Sequence, residues 1–165
     1  SLTKLPDRPL YGHAKAGHLD LAAECDGQYY FFTESEWNRV PSPEKPRYIK
    51  KGIVIRQPSI TPPFILALTD NGKNVKWDKA MASGINMPSK TQGEAIVKDC
   101  ENVKNALRAF GGTGYEGDSR WFWTKDASGS SYAWYVNMAY GNVYYNYKSI
   151  TLRVRAVAPV PVAAM

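Results

Sequence analysis

The amino-acid sequence predicts an α+β fold with a mainly antiparallel sheet and two or three short helices. Strand-like segments, rich in aromatic and β-branched residues and bounded by turn residues, occur towards both ends of the chain. Helical spacing of apolar residues is confined to a central region, residues 77–110. The chain has 165 residues and 44% hydrophobic content, which suffices for a single domain, 1–165, with its own core. Strands that flank a helical region favour an antiparallel sheet.

The N-terminal region predicts a β-hairpin after an irregular lead-in. Prolines and glycines within residues 1–18 predict irregular structure there. Residues 18–25, "HLDLAAEC", alternate apolar and polar side chains as a half-buried strand does. The dipeptide Asp26-Gly27 is typical of a hairpin turn, and "QYYFFTE" (28–34) supplies aromatic residues that favour a second strand.

Prolines divide the next region into loops and buried strands. The segment "SEWNRVPSPEKPRY" (35–48) is interpreted as a helical turn that prolines break, within an internal loop. Strands are predicted at 52–55 and 64–70, with the proline-rich loop 57–63 between them. The second of these strands ends at the turn residues Asp70-Asn71-Gly72.

Two helical segments are predicted in the centre of the chain. A short helix starts near Trp77 and stops at Gly84. A longer helical segment follows, and it begins at a capping box formed either by Ser89 with Gln92 or by Thr91 with Glu94. Gly111-Gly112 ends it, and a joint near Asp99 divides it if it forms two helices. The remainder is predicted to be β structure, with a loose tail at 158–165.

The segment from Ser130 to Val157 combines two kinds of sequence. In "AWYVNMA" (133–139) apolar and polar side chains alternate, but after Val143 the alternation fails and large polar-tipped residues fall on both faces. Such indifference to pattern predicts exposed positions, with Tyr144, Tyr145 and Tyr147 on one surface patch. Tyrosine with Ser, Asn and Gly is also the composition of antibody paratopes. The alternative is an ordinary tyrosine-rich sheet face, because tyrosine favours strands.

Charge and cysteine content narrow the classes of function. The net charge of +6 permits anionic partners, but the Lys and Arg residues are scattered along the chain, so nucleic-acid binding is not expected. Cys25 and Cys100 are compatible either with one long-range disulfide or with two buried free thiols. No Cys or His spacing suggests a metal ligand set, so no metal or other cofactor is predicted. No apolar run is long enough to span a membrane.

Catalytic motifs are not found in the sequence. The glycine-rich segment 111–114 follows a helix, whereas a phosphate-binding loop precedes one. Asp118 and Asp126 form a conceivable acid/base pair, but aspartates near turns are usually surface residues. We therefore expect a protein without catalytic activity.

One segment resembles a known family. In "FWTKDASGSSYAWYVNMAYGNVYYNYKSITLRVRAV", the residues Phe122-Trp123-Thr124, Ala133-Trp134-x-Val136, Gly141-x-Val143 and Arg153–Val157 follow the C-terminal frame of variable proteins from diversity-generating retroelements. Upstream, "EWNRVPSPEKPRYIKKGIVI", "ALTD", "VKWDKA" and "MPSKTQGEAI" resemble the family's lead-in, so the similarity covers roughly residues 30–157. The resemblance implies a C-type lectin-like fold of the formylglycine-generating-enzyme-like branch.

The resemblance also implies a set of ligand-binding positions that the retroelement diversifies. Substitution of adenines in Asn codons reaches a limited set of residue types, and this set excludes Met, Trp and Lys. We therefore assign Trp134, Met138 and Lys148 to the fixed frame. The implied variable positions are Ser131, Tyr132, Tyr135, Asn137, Ala139, Tyr140, Asn142, Tyr144, Tyr145, Asn146, Tyr147, Ser149, Ile150, Thr151 and Leu152.

Three hypotheses of different classes follow. The resemblance implies a receptor-recognition protein, a phage tail-fibre tip or bacterial adhesin, which is extracellular on a virion or cell surface and binds a host-cell or environmental protein or glycan. The alternative is a single-stranded nucleic-acid binder that stacks bases on Tyr144, Tyr145 and Tyr147 beside Lys148, Arg153 and Arg155. The third hypothesis is an enzyme that uses a cysteine-based copper site, as the related enzymes do. No cysteine follows Cys100 here, so the C-terminal region cannot supply such a site. The sequence predicts neither the ligand nor the oligomeric state.

Overall fold

The structure is a computed structural model that describes residues 19–161. Over these residues the chain forms ten strands, four α-helices and two short 3-10 turns. The strands are β1 (Leu21–Cys25), β2 (Gln28–Phe32), β3 (Ile49–Ile55), β4 (Phe64–Leu66), β5 (Gly72–Lys76), β6 (Trp121–Ser128), β7 (Tyr132–Asn137), β8 (Asn142–Tyr147), β9 (Thr151–Val154) and β10 (Val157–Pro159). The helices are α1 (Glu34–Arg39), α2 (Trp77–Ala82), α3 (Lys90–Lys98) and α4 (Cys100–Ala109); the 3-10 turns are Lys45–Arg47 and Gly117–Arg120.

The strands form two five-stranded sheets. The first has the order β10-β4-β3-β1-β2, and all its pairs are antiparallel. The second has the order β5-β9-β6-β7-β8, and only the β6–β9 pair is parallel. The predicted α+β class with mainly antiparallel pairing is therefore confirmed. Because β8 is an outer strand of the second sheet, its outward edge has no neighbouring strand among the described residues.

Both sheets contribute to the largest hydrophobic cluster. Leu21, Ile53 and Leu66 of the first sheet join Phe122 and Val136 of the second in this cluster. Helices α3 and α4 add Ile96, Val103 and Leu107. A second cluster joins α2 to the second sheet through Trp77, Trp123, Ala133 and Val154. Burial of this apolar surface packs the second sheet against the first sheet, α3 and α4 in one cluster and against α2 in the other.

Local sequence signals explain the helix boundaries. The Ser89 hydroxyl accepts a hydrogen bond from the Gln92 backbone N–H, and the Gln92 side chain accepts one from the Ser89 N–H. Ser89 is therefore the N-cap of α3, and of the two predicted capping boxes the one formed by Ser89 and Gln92 is present. The predicted joint near Asp99 is confirmed, because Asp99 separates α3 from α4. The start of α2 at Trp77 is also confirmed.

The first hairpin has the predicted turn. Asp26 and Gly27 both have positive φ, 52° and 80°. Two central residues in the left-handed region characterise the hairpin turn whose twist matches that of the flanking strands. The turn therefore sets the register in which Cys25 pairs with Gln28.

Several expectations need correction. There are four α-helices and not two or three, because Thr33 and Glu36 form a capping box that starts α1 ahead of the prolines. The strand β5 was not predicted, and β4 ends at Leu66 although a strand to residue 70 was expected. The tail predicted to be loose from residue 158 begins later, since Ala158 and Pro159 pair with β4 and Val160 is buried. The predicted lead-in at 1–18 lies outside the described residues.

The two cysteines are free thiols. Cys25 is buried in the main hydrophobic cluster at the end of β1. Cys100 begins α4, where its thiol donates to the Met138 carbonyl oxygen at 3.5 Å. Of the two alternatives that the sequence left open, the structure therefore has the free thiols.

A buried ionic cluster anchors the C-terminal segment. Arg155 is fully buried, and its guanidinium donates to Asp70 at 3.3 Å, to the Thr113 hydroxyl at 3.0 Å and to the Ala67 carbonyl at 3.0 Å. Burial lowers the pKa of Arg155, and the neighbouring Asp70 opposes this effect. Arg153 and Ser119 also contact the Asp70 carboxylate, at 3.9 and 2.7 Å. These bonds join the loop after β4 to the end of β9.

Candidate functional site

The candidate site is the hairpin formed by β7 and β8. The two strands pair without a shift in register, from Tyr132 opposite Tyr147 to Asn137 opposite Asn142. Side chains opposite each other share a face of the sheet. Tyr132, Trp134, Tyr145 and Tyr147 therefore lie on the same face as Val136 and its partner Val143.

Tyrosines dominate the exposed surface of this hairpin. Tyr140, Tyr144, Tyr145 and Tyr147 are 84%, 50%, 39% and 53% exposed. Among residues 19–161, only Ile49 and Met81 join them as exposed large hydrophobic side chains. The predicted exposure of Tyr144, Tyr145 and Tyr147 is therefore confirmed.

Five aromatic side chains of the hairpin are linked by ring contacts, and Tyr145 makes three of these contacts. Its ring lies 5.5 Å from Tyr132 and 5.3 Å from Trp134, both edge to face, and stacks on Tyr144 at 4.8 Å. Tyr132 in turn lies 4.8 Å from Tyr147. Aromatic contacts at these distances are each worth about 0.5–1.5 kcal/mol beyond burial. We call these five residues, Tyr132, Trp134, Tyr144, Tyr145 and Tyr147, the aromatic cluster.

Helix α3 supports the same face of the hairpin at its other end. A Cβ atom on Gly93 would lie 3.0 Å from a methyl of Val136 and 3.2 Å from a methyl of Val143, so the absence of a side chain lets the helix approach closely. At the helix start, the Lys90 ammonium lies 4.0 Å from the Trp134 ring centroid. The helix thus covers Val136 and Val143 and reaches Trp134 through Lys90, whereas Tyr144, Tyr145 and Tyr147 remain exposed.

The opposite face of the hairpin is held by the second hydrophobic cluster. Ala133 is fully buried there and Tyr135 packs against it. Trp123 of β6 pairs with Tyr135 of β7. The Trp123 indole N–H donates to the Val75 carbonyl oxygen at 2.8 Å. The hairpin is therefore held at its side by β6, through strand pairing, and on this face by the cluster that includes α2.

Two depressions lie at the two ends of the hairpin. One, of about 380 Å³, is lined by Lys98, Cys100, Lys104, Ala139 and Tyr140 beside the β7–β8 turn. The other, of about 580 Å³, includes Lys76, Lys79, Ser131, Tyr147, Lys148 and Ser149. Both volumes lie in the range of ordinary ligand sites, about 300–1,000 Å³. Both depressions include residues predicted to bind ligand.

The structure distributes the implied ligand-binding positions among three environments. Most are exposed: Ser131, Ala139, Tyr140, Asn142, Tyr144, Tyr145, Tyr147, Ser149 and Thr151. Tyr132, Tyr135, Asn146, Ile150 and Leu152 are half-buried. Of the half-buried set, Tyr135, Ile150 and Leu152 pack against the second hydrophobic cluster.

Asn137 is the buried member of the set, at 5% exposed. Its side-chain oxygen accepts hydrogen bonds from the backbone N–H groups of Ala139 and Tyr140, at 2.9 and 3.1 Å. The Asn137 side chain therefore shapes the β7–β8 turn and does not face solvent. We leave Asn137 out of the proposed binding surface for this reason.

Thr151 and Leu152 lie apart from the hairpin. They belong to β9, where they pair with Lys76 and Val75, and β6 and β7 stand between them and β8. The exposed hairpin residues are thus brought together, whereas the β9 positions form a separate group. Of the implied positions, the larger depression is lined by Ser131, Tyr147 and Ser149 and not by Thr151 or Leu152.

Part of this surface was not predicted from the sequence. Trp134 was assigned to the frame, but its ring is half-buried in the aromatic cluster. Lys76 and Lys79 were not considered, because only the pairing of β5 with β9 places them beside Tyr147. One sequence signal could have indicated the lysines of this surface: Lys148 is a lone charged residue within the tyrosine-rich segment.

The hairpin itself is electrically neutral. No Asp, Glu, Lys or Arg occurs between Ser130 and Tyr147. Hydrogen bonding with Tyr147, followed by charge repulsion from it, raises the pKa of Tyr132. Burial likewise raises the pKa of the Cys100 thiol, which keeps it protonated beside Gly141.

No cluster of side chains that could hold a metal ion is present in the part of the chain that the structure describes. Groups of three or more His, Cys, Asp or Glu are not found between residues 19 and 161. Asp126 accepts a hydrogen bond from the Lys90 backbone N–H at the start of α3, whereas Asp118 lies in the 3-10 turn before β6. Over the same residues, no helix has the length and apolar character needed to cross a membrane.

No protein-family model matches this sequence, and no curated protein matches it at a significant level.

Proposed function

We propose that this protein recognises a ligand through the exposed surface of the β7–β8 hairpin, without catalysis. The supporting observation is that four of the six exposed large hydrophobic side chains among residues 19–161 are tyrosines at positions 140–147. Exposed apolar groups that lie together commonly mark interaction sites. Tyrosines of this kind provide large contact area at low conformational cost.

We propose further that the chain is a variable protein of a diversity-generating retroelement with a C-type lectin-like fold. In this proposal it is displayed outside the cell, on a virion or a bacterial surface, and contacts a host-cell or environmental protein or glycan. The division of the segment supports this proposal. Ala133, Val136 and Met138 are fully buried, whereas Tyr140, Tyr144, Tyr145 and Tyr147, which follow them in the chain, are exposed.

The single-stranded nucleic-acid alternative has less support. It requires Arg153 and Arg155 to contact phosphates, but Arg155 is fully buried and bonded to Asp70. The Arg153 side chain is 17% exposed and is also paired with Asp70. A binding surface for phosphates would need its cations in solvent.

A cell-binding assay tests the proposed function. Fluorescently labelled protein is incubated with a panel of bacterial strains and read by flow cytometry. Wild type is expected to label at least one strain, and the double variant Tyr144→Ser/Tyr145→Ser is expected to lose about tenfold or more in affinity. Ile49→Ser is the matched control, because Ile49 is similarly exposed, at 57%, but lies on the first sheet.

Two outcomes would contradict the proposal. Equal labelling by wild type and the tyrosine variant would show that cell binding does not depend on Tyr144 and Tyr145 of the hairpin. A steep loss of binding with salt would favour the nucleic-acid alternative.

The proposed retroelement origin has its own test in the gene's surroundings. A near-copy of the 3′ end should be found there, with AAC or AAT codons where this chain has Tyr, Ser, Ile or Leu, together with a reverse transcriptase. Absence of both from the complete genome would contradict the retroelement proposal and leave the binding proposal to the cell assay.

A further inference from the structure

The larger depression at the end of the hairpin is built from three separate parts of the chain, residues 76–79, 130–131 and 147–149. Lys76 ends β5, Lys79 lies in α2, Ser131 precedes β7, and Lys148 and Ser149 follow β8. These parts are separated in the sequence, and the fold brings them together to form the depression. We call it the lysine depression.

Backbone bonds and aromatic contacts hold the lysine depression in place. The Lys148 N–H donates to the Ser131 carbonyl at 2.9 Å, and the Trp77 N–H donates to the Lys148 carbonyl at 3.3 Å. The Trp77 indole N–H donates to the Thr124 carbonyl at 2.9 Å, and the Lys148 ammonium lies 4.7 Å from the Trp77 ring centroid. These contacts mean that the site is largely formed before a ligand arrives, which lowers the entropic cost of binding.

Its charge is positive. Three lysines, Lys76, Lys79 and Lys148, are among its lining residues, against one acidic residue, Asp78, so the local balance is 3 − 1 = +2. In the structure of residues 19–161, the salt bridges found do not include any of these three lysines. A ligand that carries an anionic group would therefore meet cations that have no competing carboxylate bond.

The remaining lining groups suit a sugar. Ser130, Ser131 and Ser149 provide exposed hydroxyls that can donate and accept hydrogen bonds. Tyr147 adds a phenol and an aromatic ring that is 53% exposed. Small hydroxyls beside an aromatic ring match the alternating polar edges and apolar faces of a saccharide, and the volume of about 580 Å³ admits a short one.

A nucleic-acid strand fits the same surface less well. The positive charge is confined to one end of the hairpin, because no charged residue lies between Ser130 and Tyr147. Phosphates spaced along a strand need a basic track, and the hairpin offers none. The depression favours a compact ligand with one anionic group.

We propose that the lysine depression is a subsite for an acidic sugar, one that carries a carboxylate or a sulfate. The sugar would place its anionic group among Lys76, Lys79 and Lys148, and its ring against Tyr147. This inference rests on the proposed function, since Ser131, Tyr147 and Ser149 belong to the proposed binding surface.

Titrations of isotope-labelled protein, followed by NMR, test the subsite. The probes are sialyllactose, sulfated lactose and neutral lactose. Both anionic sugars are expected to shift the amide signals of Ser131, Lys148 and Ser149, and to bind about tenfold tighter than lactose at low salt. The Ala139 and Tyr140 signals, at the opposite end of the hairpin, should not move.

Three variants separate charge recognition from altered folding. Lys76→Gln/Lys79→Gln is expected to weaken binding of the anionic sugars about tenfold, without effect on lactose. Asp78→Asn removes the opposing carboxylate and is expected to strengthen binding about threefold, a gain that partial unfolding cannot produce. Lys73→Gln is the control, because Lys73 is an exposed lysine of β5 outside the depression.

Three results would overturn the subsite: equal affinity for lactose and the anionic sugars, no effect of Lys76→Gln/Lys79→Gln, or equally tight binding of an oligothymidine at the same salt. The last would show an indiscriminate polyanion surface. If the subsite fails while Tyr144→Ser/Tyr145→Ser still abolishes cell binding, the proposed function stands. If the tyrosine variant is neutral in the cell assay, the proposed function fails whatever the sugars do.

Discussion

The edge strand β8 and the segment Arg153–Val157 are close neighbours in the chain but have opposite surroundings. In β8, residues 142, 144, 145 and 147 are exposed, and the strand lies at the edge of its sheet. In Arg153–Val157, the side chains of Val154, Arg155 and Val157 are buried. A substitution in β8 therefore changes mainly what solvent or a ligand meets, whereas a substitution in the second segment changes contacts within the protein.

The largest expected effect concerns the buried ionic cluster. Asp70→Asn should lower the free energy of unfolding by about 3–5 kcal/mol, because it leaves the charge of Arg155 buried without its partner. Chemical denaturation measures this change. Lys51→Gln is the control: its pair with Glu24 is partly exposed, at 3.9 Å, and should be worth less than about 1 kcal/mol. A loss of similar size in both variants would contradict the proposed anchoring role of Asp70.

A smaller effect is expected at two asparagines of the hairpin. Asn137→Ala should cost about 1–2 kcal/mol in free energy of unfolding, because two backbone N–H groups lose their acceptor. Asn142→Ala, at an exposed position, should stay within about 0.5 kcal/mol of wild type. Thermal and chemical unfolding of both variants check the difference. Equal stability of the two would place Asn137 with the exchangeable positions.

The smallest expected effect is on the protonation of the aromatic cluster. Tyr147→Phe should bring the pKa of Tyr132 back towards its ordinary value of 10.0, because the first cause of the upward shift is the Tyr147 hydroxyl. Since the folded-state pKa is raised, the associated stability is present below about pH 10 and is lost as the pH rises through the folded value. NMR titration of the Tyr132 ring signals measures this pKa in the wild type and in Tyr147→Phe. No change in the titration of Tyr132 would contradict the assigned cause.

The local parts of the fold could be predicted from sequence because their signals are local. The turn at Asp26-Gly27 and the Ser89 capping box depend on residues within one turn of each other. The strand β5 has a polar sequence, "GKNVK", with no clear alternation, and it becomes a strand because it pairs with β9. Pairing between distant segments leaves no trace in either segment alone.

For the candidate site too, some features could be predicted from the sequence and others could not. Exposure of the tyrosines followed from the broken alternation after Val143. The turn role of Asn137 could not be separated from a surface role, because asparagine suits both. The lysine depression was not predicted, since Lys76 and Tyr147 are brought together only through the second sheet.

The central claim is that exposed tyrosines of the hairpin are exchangeable, while the buried residues of the segment 130–157 are not. A protease-resistance scan of all single substitutions from residue 130 to 157 tests it most directly, because resistance reports the folded fraction at every position. Tyr140, Tyr144 and Tyr147 should accept most residue types, whereas Ala133, Val136, Met138 and Arg155 should accept few. Equal intolerance at the tyrosines and at these buried positions would contradict the claim.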